Sequence, residues 1–150
     1  MRMMTMSRPM YENSGDRNNE HEIMSSVAGQ WGVQFYKLPI AYRMDYILMS
    51  AEKAKAFVEC KHRNITWGDY PDVMLSLSKV QQAQSLLDAS GLRSLFVVRA
   101  TDRIFYTCLN DCAGQTNWVT FGGRTYNTRD AADVEPVMHI PINQFDEVKL

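Results

Sequence analysis

Apolar positions change their period several times along this chain, and each change predicts an element. In residues 17–31, Ile23, Met24, Val27 and Trp31 recur at three- and four-residue spacing. That is one stripe of an amphipathic helix, with Asp16 as its N-cap and Gly32 as its stop. A strand at 33–38 follows, closed by Pro39. Two apolar, β-rich runs, 42–50 and 56–62, then flank the polar stretch 51–55. They predict a β-hairpin with a loop of about 3–5 residues. Beyond a turn-rich loop at 63–71, residues 72–90 predict a second helix, with Asp72 as N-cap and Gly91 as terminator. Its inward face is Val73, Ser76, Leu77, Val80, Ala83, Gln84 and Leu87. Residues 92–100 read as a buried strand and 103–109 as its neighbour across the Thr101-Asp102 turn. The rest is less regular: a short run at 119–121, a Gly122-Gly123-Arg124 turn and a final extended run at 137–145. Residues 1–16 carry breakers and no periodicity, so they read as a flexible leader before a single domain at 17–150.

Composition narrows the class. The 150 residues, 45% hydrophobic and 22% charged, suit one globular core. A net charge of −1 gives no overall basic signal for nucleic acid, while leaving a local basic groove open. No apolar run approaches the roughly 18 residues of a membrane span, so no membrane partner is expected. The Met-rich N-terminus, broken by Arg, Ser and Pro, does not make a signal peptide. Three cysteines are too few for a disulfide framework, which points to a reducing, cytoplasmic setting. Cys108 and Cys112 lack the further ligands of a zinc site.

The chemistry concentrates in the hairpin. Side chains alternate along a strand, so Asp45, Ile47 and Met49 share one face, and Phe57, Glu59 and Lys61 share another. With the turn near Glu52–Lys53, antiparallel pairing sets Asp45 beside Glu59 and Lys61. Two carboxylates that close repel, and partly buried ones need a partner or a metal. Lys61 neutralises one of them. Mg²⁺ suits the remainder, since it is held by one or two carboxylates together with waters and phosphates. The alternative is a surface hairpin with one solvated Glu–Lys pair.

Asp45, thirteen intervening residues, then Glu59-Cys60-Lys61 resembles the D…E-x-K signature of the PD-(D/E)XK nuclease superfamily. The order of elements over residues 17–109, α-β-β-β-α-β, resembles that family's core. The fold implied is restriction endonuclease-like, an α/β (α+β) mixed sheet flanked by helices. The resemblance implies that Asp45, Glu59 and the main-chain carbonyl of Cys60 hold Mg²⁺ or Mn²⁺. Lys61 would then orient the attacking water. Glu20 lies on the inward stripe of the first helix, and Glu22 does not; it is either the family's helix glutamate at the metal or a first-turn glutamate answering the helix dipole.

Lys79 is the first choice for the position where this family meets phosphate or water, with Gln81 and Gln82 behind it; the plainer reading is a solvated helix edge. Arg63 shares the face of Lys61 and could touch a phosphate. Trp67 and Tyr70 either stack on bases or pin their loop to the core. Arg124 and Arg129 would extend a DNA surface, His62 falls on the wrong face for catalysis, and His139 is expected to pack in a strand. Pro71-Asp72 imitates the family's "PD" but follows the E-x-K. The function implied is a metal-dependent endodeoxyribonuclease leaving 5′-phosphate; specificity for junction or branched DNA is one option, and restriction-type, nicking and exonuclease activities stay open beside it. A homodimer is implied with it, while the small size and Met-rich leader suit a phage or bacterial source, and hence a host-cell cytoplasm. The alternative function is a nucleic-acid-binding or assembly module that keeps the fold and cuts poorly.

Overall fold

The stripe Ile23, Met24, Val27, Trp31 does form a helix, and it starts earlier than its periodicity marks. In this computed structural model, which describes residues 14–112, 117–123 and 134–150, α1 spans Ser14–Trp31. Asp16 therefore lies inside the first turn rather than at the N-cap. Ile23, Met24 and Val27 are buried. Gly32 ends the helix at φ 68°, a left-handed conformation that costs glycine nothing. Residues 1–13 and the Arg124 and Arg129 positions lie outside the described residues.

The hairpin forms with a shorter loop than expected. Strand β1 is Gln34–Lys37, β2 is Tyr46–Ser50 and β3 is Lys53–His62. Tyr42 sits in a 3₁₀ turn, Ile40–Tyr42, instead of a strand. Only Ala51 and Glu52 turn the chain, both at positive φ (51° and 63°). Two successive left-handed residues are the geometry of a tight hairpin turn, usually given to Asn-Gly. The register then slips. Ser50 pairs with Lys53 and Met49 with Ala54, but Leu48 pairs with Ala56, leaving Lys55 as an extra residue. Directly opposed residues share a face, so the slip decides the orientation of β3. Phe57 opposes Ile47, and Glu59 follows Phe57 to that face. Without the bulge the parity would reverse.

The predicted second helix divides into two elements. Asp72–Ser76 is strand β4, and α2 is Leu77–Ser90. Within Asp72–Ser76 the buried residues are Val73 and Leu75, with Met74 exposed, a period of two rather than 3.6. The N-cap is Ser76, whose hydroxyl accepts from the Ser78 amide, and not Asp72. Leu77, Val80, Ala83 and Leu86 face the core, whereas Gln84 is exposed. Gly91, at φ 77°, closes the helix as predicted.

Strands β5 (Arg93–Arg99) and β6 (Ile104–Cys108) follow as expected. Then come β7 (Trp118–Gly123), β8 (Val134–Pro141) and β9 (Asp146–Val148). Gly122 and Gly123 thus continue a strand and do not turn. The described residues make two sheets. One has the order β1-β2-β3-β5-β6-β9; the other is β4-β8-β7. Within the larger sheet β3 and β5 are parallel, joined by the β4–α2 crossover, and its other neighbouring pairs are antiparallel. Its faces bury separate cores. Ile23, Met24 and Val27 of α1 pack with Tyr46, Leu48, Val58 and Val97. On the opposite face Phe57, Phe96 and Val98 pack with Ala83 of α2 and with Val73 and Ile140 of the smaller sheet. With both faces covered, residues 56–60 of β3 are all buried. Glu59 is the charged one among them.

Candidate active site

Glu59 is only 2% exposed, on the α2 face of a central strand. Burying a carboxylate there is costly unless it is paired or binds a cation. Two lysines approach it. Lys61 Nζ, two residues along the same face, is 3.6 Å from Oε2, and Lys79 Nζ, from the first turn of α2, is 3.1 Å from Oε1. The Lys79 contact is an ion pair without hydrogen-bond geometry, because Glu59 Oε1 has no hydrogen-bond partner. The Lys79 ammonium instead donates to the Arg43 carbonyl at 2.6 Å. Next to it, Gln82 Nε2 donates to the Tyr42 carbonyl at 3.0 Å. Arg43 holds a left-handed φ of 62°, a conformation costing a side-chain-bearing residue on the order of 1 kcal/mol.

Asp45 sits where β2 begins. Its amide donates to the Val58 carbonyl, and its Oδ2 accepts from the Cys60 amide at 2.8 Å. The carboxylate thus takes over the ladder where the β2 backbone ends. A strand residue's N–H and C=O point to the same side, so the Cys60 carbonyl is directed past the start of β2, into the same cleft. Burial is the first cause raising the Asp45 pKa to about 7, followed by the charges of Glu59 and Glu20; the Cys60 amide and Lys79 pull the other way. Asp45 therefore resists carrying its charge in the cleft as it stands.

Glu20 reaches the site from α1, as its phase predicts, while His21 and Glu22 are exposed. Lys37 Nζ is 3.3 Å from Glu20 Oε1 and 3.8 Å from Asp45 Oδ1. Sequence reasoning missed Lys37. Its strand was legible, but which cleft its side chain would enter was not. Glu20 also hydrogen bonds Tyr46, whose hydroxyl burial holds well above the usual tyrosine range. These groups line a cleft of about 350 Å³, with Arg43 and His62 at its wall. The charge is local and mixed, which a net charge of −1 could not reveal.

The remaining predicted residues do not line this cleft. Arg63 donates to the Met74 carbonyl at 3.2 Å, and burial lowers its pKa. Trp67 stacks on Phe105 at 3.8 Å between ring centroids and meets Phe145 edge-on. That is the loop-pinning alternative. Tyr70 and Gln81 are exposed, away from the cleft. His139 does sit in a strand, but in a network of its own. Its Nδ1 donates to Asp72 Oδ1 at 2.9 Å, and its Nε2 is 2.7 Å from Thr120 Oγ1.

The oxygen donors fit a hard divalent cation: carboxylates from β3, the entry to β2 and α1, with a main-chain carbonyl between them. Glu59 Oε1 has no hydrogen bond, and the charge of Glu59 is met in this structure by the ammoniums of Lys79 and Lys61, 3.1 and 3.6 Å from its two oxygens. Among the described residues no three acidic, histidine or cysteine groups already converge on a single metal position. A cation there would use fewer side chains, completed by the carbonyl and water.

Comparison with known proteins gives the family and the fold. A model of the family described as "Phage putative PDDEXK endonuclease" matches residues 6–148. Among solved structures the chain is similar to Hjc, a Holliday junction resolvase from the archaeal hyperthermophile Archaeoglobus fulgidus. That likeness has a TM-score of 0.53 at 12% identity, covering 89% of this chain and 88% of that one, and is one of fold. No curated protein matches. With D…E-x-K carried on a restriction endonuclease-like sheet and a family model spanning nearly its whole length, the chain belongs to the phage PD-(D/E)XK endonuclease family.

Proposed function

We propose that the protein is a metal-dependent endodeoxyribonuclease acting on branched DNA. The observation that carries this reading is Glu59: a carboxylate 2% exposed, with one oxygen lacking a hydrogen bond, beside a second carboxylate that resists ionisation. A bound cation would further offset the repulsion between the two carboxylates, which Lys37, Lys61 and Lys79 already reduce. Asp45 Oδ1, Glu59 and the Cys60 carbonyl would hold Mg²⁺ or Mn²⁺, with Glu20 assisting. When bound, the metal acidifies water and offsets charge on the scissile phosphate.

The chain's own residues do the rest. Lys61, whose side chain is 38% exposed, reaches from the buried Glu59 into the open cleft. It orients the attacking water and stabilises the extra negative charge on phosphorus. Lys79 is held in place by the Arg43 carbonyl and presents a second positive charge to the same phosphate. Arg43, on the cleft wall, would take a flanking phosphate. Gln81, Arg63, Trp67 and Tyr70 do not line the cleft, so any contact they make with DNA lies outside the site of cleavage. The likeness in fold to a protein named a Holliday junction resolvase makes a four-way junction the first substrate to try. Cutting two strands calls for two sites, so the same reading includes a homodimer, which light scattering tests.

The deciding experiment compares supercoiled, linear, single-stranded and four-way-junction DNA with Mg²⁺, Mn²⁺ or EDTA. Wild type is run beside Glu59→Gln and Lys61→Met. Metal-dependent cutting, lost in both variants and strongest on the junction, is expected. Cutting that survives both variants would overturn the site assignment. Equal cutting of every substrate would remove the branched-DNA preference.

A further inference from the structure

Four carboxylate oxygens at the cleft have a lysine ammonium within 4 Å. Lys61 and Lys79 serve Glu59, while Lys37 serves Glu20 and Asp45 together. Lys37 is unlike the other two. It sits on β1, the edge strand of the larger sheet, and bridges carboxylates from two different elements, α1 and the entry to β2. Its ammonium also lies 5.0 Å from the centre of the Tyr46 ring. Asp45 has one oxygen less committed than the other, because Oδ2 accepts from the Cys60 amide. That oxygen, Oδ1, is the one Lys37 faces. The oxygen a metal would need is therefore already covered by a cation.

We infer that Lys37 is an internal counter-ion, occupying the cation position between Glu20 and Asp45 until a divalent metal displaces it, after which its ammonium meets a DNA phosphate beside the cleft. The inference rests on the nuclease reading. An ammonium and a dication cannot both be close to one carboxylate oxygen without strong repulsion, and the dication gains more from two carboxylates. Lysine suits the role because its charge rides on a flexible four-carbon stem and can move several ångströms without backbone change. Before metal binds, the bridge offsets the mutual repulsion of Glu20, Asp45 and Glu59. Afterwards the released charge is available at the wall that Arg43 already makes basic.

The test reads metal affinity and DNA affinity separately, without cleavage. Calorimetry with Mn²⁺ is run on wild type, Lys37→Met and Lys37→Arg, each first shown to be folded by thermal melting. Lys37→Met is expected to bind Mn²⁺ about tenfold more tightly, the scale of removing one unit charge near a dication. Lys37→Arg is expected to stay near wild type. Junction binding is then followed against salt with Ca²⁺ in place of Mn²⁺. The Lys37→Met slope should fall by about one, the signature of one lost phosphate contact. Unchanged or weaker Mn²⁺ binding by Lys37→Met would overturn the counter-ion role while leaving the nuclease reading intact. An unchanged slope would overturn the phosphate role. No Mn²⁺ binding by wild type would overturn both this inference and the metal-dependent reading beneath it.

Discussion

Asp72, His139 and Thr120 in the smaller sheet, and Asp45, Glu59 and their lysines in the larger one, are both acid–base clusters spread over neighbouring strands. In the first, every group has a match. The Asp72 carboxylate accepts from His139 Nδ1, and the other ring nitrogen meets the Thr120 hydroxyl, tying β4, β8 and β7 together. The Asp72 and His139 side chains are 14% and 15% exposed, so the pairing is protected from water. In the second, Glu59 keeps an oxygen without a hydrogen bond and Asp45 has its pKa pushed up to about 7. Both clusters contain carboxylates largely shielded from solvent, Asp72 at 14% in the first and Glu59 at 2% in the second. The difference is satisfaction. A closed network stabilises the sheet and has nothing left over for a ligand, whereas the open one is held at a cost that a cation and a phosphate can recover.

The comparison is broken most sharply by activity. Glu59→Gln and Asp45→Asn are expected to lower junction cleavage by about 10³-fold or more, the scale of losing an electrostatic element of a transition state. Thr120→Val should leave cleavage per folded molecule near wild type. Measuring single-turnover rates against the folded fraction separates the two; comparable losses from Thr120→Val would erase the distinction.

Stability should respond in the opposite sense. Asp45 has a folded-state pKa of about 7 against an ordinary 3.8, so between those values the folded protein retains a proton that the unfolded chain has released. Stability is therefore favoured below pH 4 and falls as pH rises through 7. Metal-free Asp45→Asn removes that penalty and should be more stable than wild type at pH 8 by up to about 4 kcal/mol. The gain should vanish near pH 4, which urea melts in EDTA at the two pH values check. His139→Ala, by contrast, strands the Asp72 carboxylate and should destabilise by about 2–3 kcal/mol. Urea titration at pH 7 measures it, and a neutral result would show the network to be ornamental.

The smallest effect is a control for both. Ala51→Asn with Glu52→Gly places residues suited to positive φ at the tight turn, adding about 1 kcal/mol. Neither cluster is touched, so cleavage rate and Mn²⁺ affinity should not move. A change in either would mean that the turn sets the register on which Glu59 depends.

Much of the site was legible because it is local. Asp45, Glu59 and Lys61 belong to one hairpin, so the turn brings them near one another, while the extra residue Lys55 is what puts Glu59 on the face of Asp45. Glu20 was legible for the same kind of reason, since helical phase separates it from Glu22. Lys79 was legible only as a position flanking a stripe. Residues 72–76 misled because Val73 falls three and four residues before Ser76 and Leu77 and so fits the helix stripe that continues through Val80. A five-residue strand running directly into an N-cap leaves too short a run to separate the two periods. The Val73/Leu75 alternation and Ser76 before Leu77 were the signals available. Trp67 was undecidable from sequence, because whether an aromatic pins a loop or meets a ligand depends on Phe105 and Phe145, far along the chain.

By itself, then, the sequence determined which carboxylates and which lysine would share a hairpin, and the family to which that hairpin belongs. Tertiary structure decided what those groups experience. The extra residue Lys55 turns Glu59 toward α2, where both covered faces of the sheet bury it. Packing of β1 and α2 brings Lys37 and Lys79 against the carboxylates. Asp72 acquires a partner 67 residues away. The physical reason is range. Backbone periodicity acts over a few residues and can be read along the chain, whereas burial and charge act through space, among neighbours that exist only once the sheets have closed.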